Sequence, residues 1–177
     1  SAGFTHWAKL NNLKQAAKTM NFLTEHGISS YGELESKLNA VSARRDTAHA
    51  EIKRIESRSA ELALVMKHAG TYRQIKPLYD RYRKSNDKEK FLRGHESEII
   101  LFEAAARELK RLGAVPLPTT ESMKAEFANL NEEKERLLAE YKAARTEAQE
   151  YDTVKQNVDA LLAVPKEQKQ QRRHELE

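Results

Sequence analysis

Residues 34–69 read LESKLNAVSARRDTAHAEIKRIESRSAELALVMKHA, and residues 123–162 read MKAEFANLNEEKERLLAEYKAARTEAQEYDTVKQNVDALL. In both stretches, apolar side chains recur at alternating intervals of four and three residues, with four polar exceptions among the 23 positions, Arg45, Ser59, Lys134 and Lys155. The first series is Leu34, Leu38, Val41, Arg45, Ala48, Ile52, Ile55, Ser59, Leu62, Met66 and Ala69. The second is Met123, Phe127, Leu130, Lys134, Leu137, Tyr141, Ala144, Ala148, Tyr151, Lys155, Val158 and Leu162. Such a 3.5-residue repeat predicts two long helices, each with one narrow stripe facing a partner helix.

The composition agrees with long helices that leave most of their surface in water. Only 39% of the 177 residues are hydrophobic and 33% are charged, which is too little apolar surface for a thick layered core. The net charge of +4 implies no partner by itself. The absence of cysteine excludes disulfides and thiolate metal sites and fits a cytoplasmic chain. No apolar run approaches the ~20 residues needed to span a bilayer, so no membrane partner is predicted.

Glycine and proline divide the chain into helical segments. A first helix is predicted over 5–26, with Trp7, Leu10, Leu13, Ala17 and Met20 on one face and a Schellman ending at Gly27. Ser30 and Glu33 form a capping box for the helix that carries the first stripe, which is expected to end at Gly70. Pro77 favours a kink or a helix start there.

Further segments follow in the second half. A fresh capping box at Thr71 and Gln74, a short helix at 87–93 with a break at Gly94, and a helix over 99–112 are predicted. Prolines make 115–118 extended, and Thr119 or Thr120 caps a last helix that ends near Val164, before Pro165.

The two long helices are each other's simplest partners. We predict an all-α fold, a long antiparallel helical hairpin (coiled coil) with a small helical cap inserted at its tip. The parts are a linking helix at 1–28, the coiled-coil domain at 29–164 with a basic insertion at about 70–118, and a disordered tail at 165–177. A parallel coiled-coil homodimer is the alternative, so the chain is either a monomer or a dimer.

No catalytic or metal constellation is visible in the sequence. The six histidines lie at least 19 residues apart, so no pair has the spacing that places two metal ligands on one helix face. No glycine-rich phosphate loop is present, and neighbouring acids such as Glu132 and Glu133 fit a solvated helix face. We therefore predict no cofactor, no metal and no enzymatic activity for this segment.

One stretch, 67–93, carries a concentrated positive charge, and we call it the basic segment. It holds nine basic and three acidic residues, a local net charge of +6, so the rest of the chain carries about −2. Cations of this kind neutralise phosphates and release counterions. The predicted nucleic-acid contacts are Arg73, Lys76, Arg81, Arg83, Lys84, Lys88 and Lys90.

Tyrosines are interleaved with these cations, and they allow two interpretations. Tyr72, Tyr79 and Tyr82 could stack on exposed bases. Their helical spacing also fits the packed stripe of a helix whose charges lie at its flanks. The two interpretations are compatible.

Several blocks of the sequence resemble one family. Residues 7–28, WAKLNNLKQAAKTMNFLTEHGI, are similar to the segment that follows the nuclease domain in relaxases, the mobilization proteins of conjugative and mobilizable elements. The blocks YDRYRK (79–84), KFL (90–92), HESEI (95–99), LPT (117–119) and EYKAAR (140–145) agree with it. Relaxases nick DNA with a catalytic tyrosine and a histidine-bound metal, but this sequence has no such histidine cluster, so no catalytic residue is transferred.

The resemblance implies a non-catalytic accessory region of a DNA relaxase in conjugal mobilization. Its implied partners are single-stranded or origin DNA and relaxosome or coupling proteins. The alternative is a structural coiled-coil spacer, or a protein-interaction or dimerisation module, that binds no nucleic acid. A third possibility, an independent enzyme, would need a metal site or a nucleophile that the sequence does not show.

Overall fold

The computed structural model describes the backbone of residues 2–174 and the side chains of residues 5–163. Over this range the chain forms four helices and no strand. They are α1 (Ala2–Glu25), α2 (Tyr31–Lys84), α3 (Lys88–Arg111) and α4 (Thr120–His174). The prediction of an all-α fold is confirmed.

The chain divides into two compact units, and α2 and α4 contribute to both. The first unit contains the chain up to His49 and again from Leu138; the second is Ala50–Leu137. The first unit therefore combines α1 with parts of α2 and α4, and the second combines α3 with the other parts of α2 and α4.

In each unit, polar contacts between α2 and α4 give the pairing direction. In the first unit the Tyr31 hydroxyl donates to Asp159 at 2.7 Å, and Arg44 pairs with Glu147 at 2.7 Å. Positions that rise along α2 thus meet positions that fall along α4.

The second unit repeats this direction, because Lys134 lies 3.3 Å from Glu56 and Arg58 lies 2.7 Å from Glu126. The predicted antiparallel hairpin is confirmed. The regular interlocking of side chains that defines a coiled coil stays a prediction.

The core of the first unit joins three helices. Its buried members are Ile28, Leu34, Val41, Ala148, Tyr151 and Val154, with Phe22, Leu23, Leu38 and Val158 packed against them. The Phe22 ring meets the Tyr151 ring edge-to-face at a centroid distance of 5.2 Å. The stripes of α2 and α4 are therefore covered within one chain, with α1 packed alongside them.

The core of the second unit is built in the same way around α3. Its buried side chains include Ile52, Ile55, Leu62 and Val65 of α2, Ile99, Phe102, Ala105 and Leu109 of α3, and Met123, Leu130 and Leu137 of α4. Val65 is buried although it lies outside the predicted stripe, while Met66 within the stripe is half-buried. In a three-helix unit, the buried face of a helix is wider than the narrow stripe that contacts a single partner helix.

Several helix ends lie where the local sequence pattern predicts them. The amide of Ile28 donates to the Leu23 carbonyl at 2.8 Å, and that of Gly27, whose φ is +62°, donates to the Thr24 carbonyl at 3.2 Å, which completes a Schellman ending of α1. Gly113, with a φ of +69°, ends α3 in the same manner. At the start of α4, the Thr119 hydroxyl accepts from the amide of Ser122 at 3.1 Å.

The predicted interruption at Gly70 is wrong, because α2 continues through Gly70 and Pro77 to Lys84. The Thr71 hydroxyl donates to the Lys67 carbonyl one turn earlier, so it does not cap a new helix. Packing of Tyr72 and Tyr79 against α3 outweighs the local cost of the glycine and the proline. The break predicted at Gly94 is observed one residue later, as a kink at His95 with φ −138° and ψ 25°.

Two other predictions, on the packing face of α1 and on the end of α4, need correction, and a third, on the tail, concerns residues that are only partly described. The face of α1 that carries Leu10, Leu13 and Met20 is exposed, because the helix packs through Thr19, Phe22 and Leu23 instead. The backbone of α4 stays helical through Pro165 to His174, past the end predicted near Val164. A disordered tail is predicted at 165–177. The side chains of these residues, and the backbone of 175–177, lie outside the described part of the chain.

Candidate nucleic-acid interface

The basic segment occupies the end of α2, the turn at 85–87 and the start of α3 in the second unit. Asp87 caps α3 by accepting from the amide of Lys90 at 3.0 Å. The Ser85 hydroxyl accepts from the amide of Asp87 at 3.3 Å and fixes the turn. Two helix ends thus bring the basic residues of α2 and α3 to one short connection.

Two of the seven predicted contacts are held by the chain itself. Arg73 donates to the Thr120 hydroxyl at 3.0 Å and to the Pro118 carbonyl, so it ties α2 to the beginning of α4. Lys76 pairs with Asp80 at 2.9 Å, and the hydrogen bond that its ammonium donates to Asp80 raises the pKa of Lys76 above its ordinary value. These two side chains therefore have structural roles in the second unit.

A third predicted contact, Arg81, lies against an aromatic ring. Its guanidinium carbon is 5.8 Å from the centroid of Phe91, within the range of a cation–π contact. The ring lies on α3, so this contact bridges the turn. Arg81 keeps its charge exposed to solvent while its position is restrained.

The remaining four predicted contacts are exposed on both sides of the turn. Arg83 and Lys84 end α2, and Lys88 and Lys90 begin α3. Within residues 5–163, no acidic side chain lies at ion-pair distance from any of them. We call these four residues the turn cations.

The helix dipoles act oppositely on the two halves of this group. Arg83 and Lys84 lie at the C-terminus of α2, where cations stabilise a helix. Lys88 and Lys90 lie in the first turn of α3, where cations oppose the dipole. A favourable interaction with the helix dipole therefore explains the cations at Arg83 and Lys84, but it does not explain those at Lys88 and Lys90.

The tyrosines of the segment form part of an aromatic cluster between α2 and α3. Tyr72 and Tyr79 stack on Phe102 at centroid distances of 4.7 and 4.2 Å, with interplanar angles of 25° and 23°. Tyr82 lies 6.0 Å from Phe91. All three tyrosines are half-buried, and Tyr72 and Tyr79 each stack one ring face on Phe102, which agrees with the packing interpretation.

Elsewhere in the described part of the chain, the ionisable groups are dispersed. No group of three or more histidine, aspartate or glutamate residues is arranged to hold a metal ion there. His95 pairs with Glu98 at 2.9 Å, and His26 stacks on Phe22 at 3.9 Å. Over the same residues, none of the helices has the length and apolar character needed to cross a bilayer.

A groove of about 480 Å³ in the first unit lies between α1 and α4. Its wall combines apolar surface with amide, hydroxyl and charged groups, and its residues include Gln15, Lys18, Thr19, Phe22, Gln149, Glu150, Val154 and Asn157. Asn157 donates to the Thr19 hydroxyl at 3.4 Å, and that hydroxyl donates to the Gln15 carbonyl at 2.9 Å. These contacts fasten α1 to α4.

Comparisons with protein-family models, with curated proteins and with solved structures found no match to this chain. The resemblance to relaxases therefore stays a prediction.

Proposed function

We propose that this chain is a non-catalytic helical module that contacts the phosphates of single-stranded DNA through the turn cations. In the context given by the sequence resemblance, it serves as an accessory region of a DNA relaxase in conjugal mobilization. The observation that carries the proposal is the exposure of Arg83, Lys84, Lys88 and Lys90 around one turn, without an ion-pair partner in residues 5–163. Unpaired cations lose little on meeting phosphates and release the condensed counterions of the nucleic acid.

The half-buried tyrosines favour phosphate contact over base stacking. Tyr72 and Tyr79 each stack a ring face on Phe102, and Tyr82 lies against Tyr79, so base stacking through these contacting surfaces would require the tyrosines to leave their packed positions. Binding through phosphates alone would depend weakly on base sequence and strongly on salt. The module would then hold DNA without selecting a sequence.

The test is fluorescence anisotropy with a labelled single-stranded oligonucleotide at about 50 mM salt. One variant replaces the four turn cations with glutamine. The matched control replaces four other exposed cations of the same unit with glutamine, namely Lys67, Arg107, Lys110 and Lys124. Each variant loses four positive charges, so the two differ only in where the charges are removed.

We expect the turn-cation variant to bind about a hundredfold more weakly than the wild type and the control to keep most of its affinity. Equal losses in the two variants would assign binding to the general charge of the unit. No measurable binding of the wild type at this salt concentration would refute the proposal.

A second candidate function, a structural spacer or protein-interaction module, is favoured by the use of Arg73, Lys76 and Arg81 in contacts within the chain. Light scattering separates its two forms, because a monomer fits a closed hairpin and a dimer fits self-association. The relaxase context has its own test: the reading frame upstream should encode a nuclease domain with a histidine cluster.

A further inference from the structure

Helix α1 has apolar side chains on two opposite faces. One face, with Thr19, Phe22 and Leu23, packs within the first unit. The other face carries Leu10, Leu13 and Met20, whose exposed fractions are 46%, 66% and 58%. We call Leu10, Leu13, Ala17 and Met20 the outer stripe. Large apolar side chains aligned on one helix face mark an interaction surface more often than scattered ones do.

The spacing of the outer stripe indicates what shape fits it. Its members follow one another at intervals of three, four and three residues. The apolar stripes of α2 and α4 have the same spacing, and a second helix is the element that packs against a stripe of this kind. Small Ala17 in the middle of the stripe allows a partner helix to approach closely.

The charges beside the outer stripe indicate the chemistry of that helix. In heptad terms, Lys9 and Lys14 occupy the two positions that flank the stripe. Among residues 2–25 the only acidic residue is Glu25, at the end of α1. A second copy of α1 would bring lysines toward lysines, whereas glutamates or aspartates at the flanks of a partner would pair with them.

We propose that the outer stripe of α1 binds an acidic amphipathic helix of a partner protein. Leucine or isoleucine side chains of that helix lie at heptad spacing against the stripe, and its flanking carboxylates lie near Lys9 and Lys14. This surface belongs to the first unit and is independent of the turn cations. It adds a protein-docking function to the DNA contact proposed above.

The single tryptophan of the chain is a built-in reporter for this surface. Trp7 lies on α1 three residues before Leu10, and 61% of it is exposed. Residues three apart on a helix are neighbours, so a helix that covers Leu10 changes the surroundings of the indole. With excitation at a wavelength that tyrosine does not absorb, the emission of the chain therefore reports on α1 alone.

The experiment titrates the 177-residue protein with a designed helical peptide that has leucine at heptad core positions and glutamate at the flanks. A second peptide carries lysine at those flanks. The stripe variant is Leu10→Ser with Leu13→Ser, and the control is Leu64→Ser with Leu101→Ser, two leucines of similar exposure on other helices. Circular dichroism establishes that both variants keep their helix content.

We expect a blue shift of the Trp7 emission with the glutamate peptide and at least about tenfold weaker binding by the stripe variant than by the control. The lysine peptide should bind at least about tenfold more weakly than the glutamate peptide. No shift with the glutamate peptide, or equal binding of the two peptides, overturns the proposal. A shift that grows with protein concentration alone, or with anionic vesicles and not with the peptide, overturns it in favour of self-association or of a lipid surface.

Discussion

The carboxylate of Glu33 fastens the start of α2. It accepts hydrogen bonds from the backbone amide of Ser29 at 2.8 Å and from the Ser29 hydroxyl at 3.1 Å, while the Ser30 hydroxyl accepts from the amide of Glu33 at 3.2 Å. These bonds, above all the one from the Ser29 amide, hold the pKa of Glu33 below its ordinary value of 4.5. The ionised form thus stabilises the fold above the ordinary pKa, and this contribution is lost as the pH falls through the folded-state pKa.

This linkage predicts a pH-dependent effect of Glu33→Ala. At pH 7 the variant should unfold at a lower temperature than the wild type, because both bonds to Ser29 are lost. The gap should close as the pH falls from 7 through the lowered folded-state pKa of Glu33. Thermal unfolding followed by circular dichroism at several pH values measures it. A gap that does not narrow as the pH falls would contradict the hydrogen-bond assignment.

Two glycines should respond to alanine with opposite signs. Gly113 has a φ of +69°, where a side chain costs roughly 1–2 kcal/mol. Gly70 lies inside α2, and a Cβ placed there meets nothing within 4 Å. Gly70→Ala should therefore stabilise the protein by roughly 0.5–1 kcal/mol, while Gly113→Ala destabilises it. Urea unfolding of both variants is the measurement, and a destabilised Gly70→Ala would show that α2 is not continuous there.

At the scale of single elements, Phe102 is an aromatic side chain through which α3 packs on α2. Phe102 is buried and receives Tyr72 and Tyr79 on its faces. Phe102→Ala should cost roughly 3–5 kcal/mol and reduce the near-ultraviolet dichroism of the tyrosines. Ile100→Ala, at an exposed position of the same helix, is the matched control and should cost well under 1 kcal/mol. Similar losses in the two variants would contradict the packing described for α3.

The helix ends near Gly27, Ser30 and Thr119 could be predicted because their causes are local. Gly27, Ser30 and Thr119 act through bonds to residues within five positions of themselves. The continuity of α2 through Gly70 could not be predicted in this way, since it depends on contacts with α3. Local propensity at Gly70 and Pro77 is the smaller effect there.

The packing face of α1 was the other element that sequence patterns misplaced. The outer stripe is the more regular apolar series, yet the helix packs through a face that includes Thr19. A threonine satisfied by the Gln15 carbonyl can be buried without cost from an unpaired hydroxyl, and nothing in its spacing reveals this. Which of two apolar faces is used depends on the neighbours in the first unit.

At the scale of the whole molecule, two three-helix units share the same two long helices. The heptad stripes predicted that α2 and α4 each need a partner helix, and their similar lengths favoured antiparallel pairing with each other over a parallel homodimer. The third helix of each unit explains why burial extends beyond the stripes. The charge of the basic segment was readable from composition. Which of its cations are held by contacts within the chain could not be read from composition, because the partners of Arg73 lie 45 and 47 residues away in sequence.

The central claim, that the turn cations contact DNA phosphates, is tested most directly by the salt dependence of binding. Each phosphate contact with a single strand adds about 0.7 to the steepness of the plot of log affinity against log salt concentration. Replacing Arg83, Lys84, Lys88 and Lys90 with glutamine should therefore flatten this slope by about 3. The matched control variant should keep the slope of the wild type. An unchanged slope in the turn-cation variant would contradict the account.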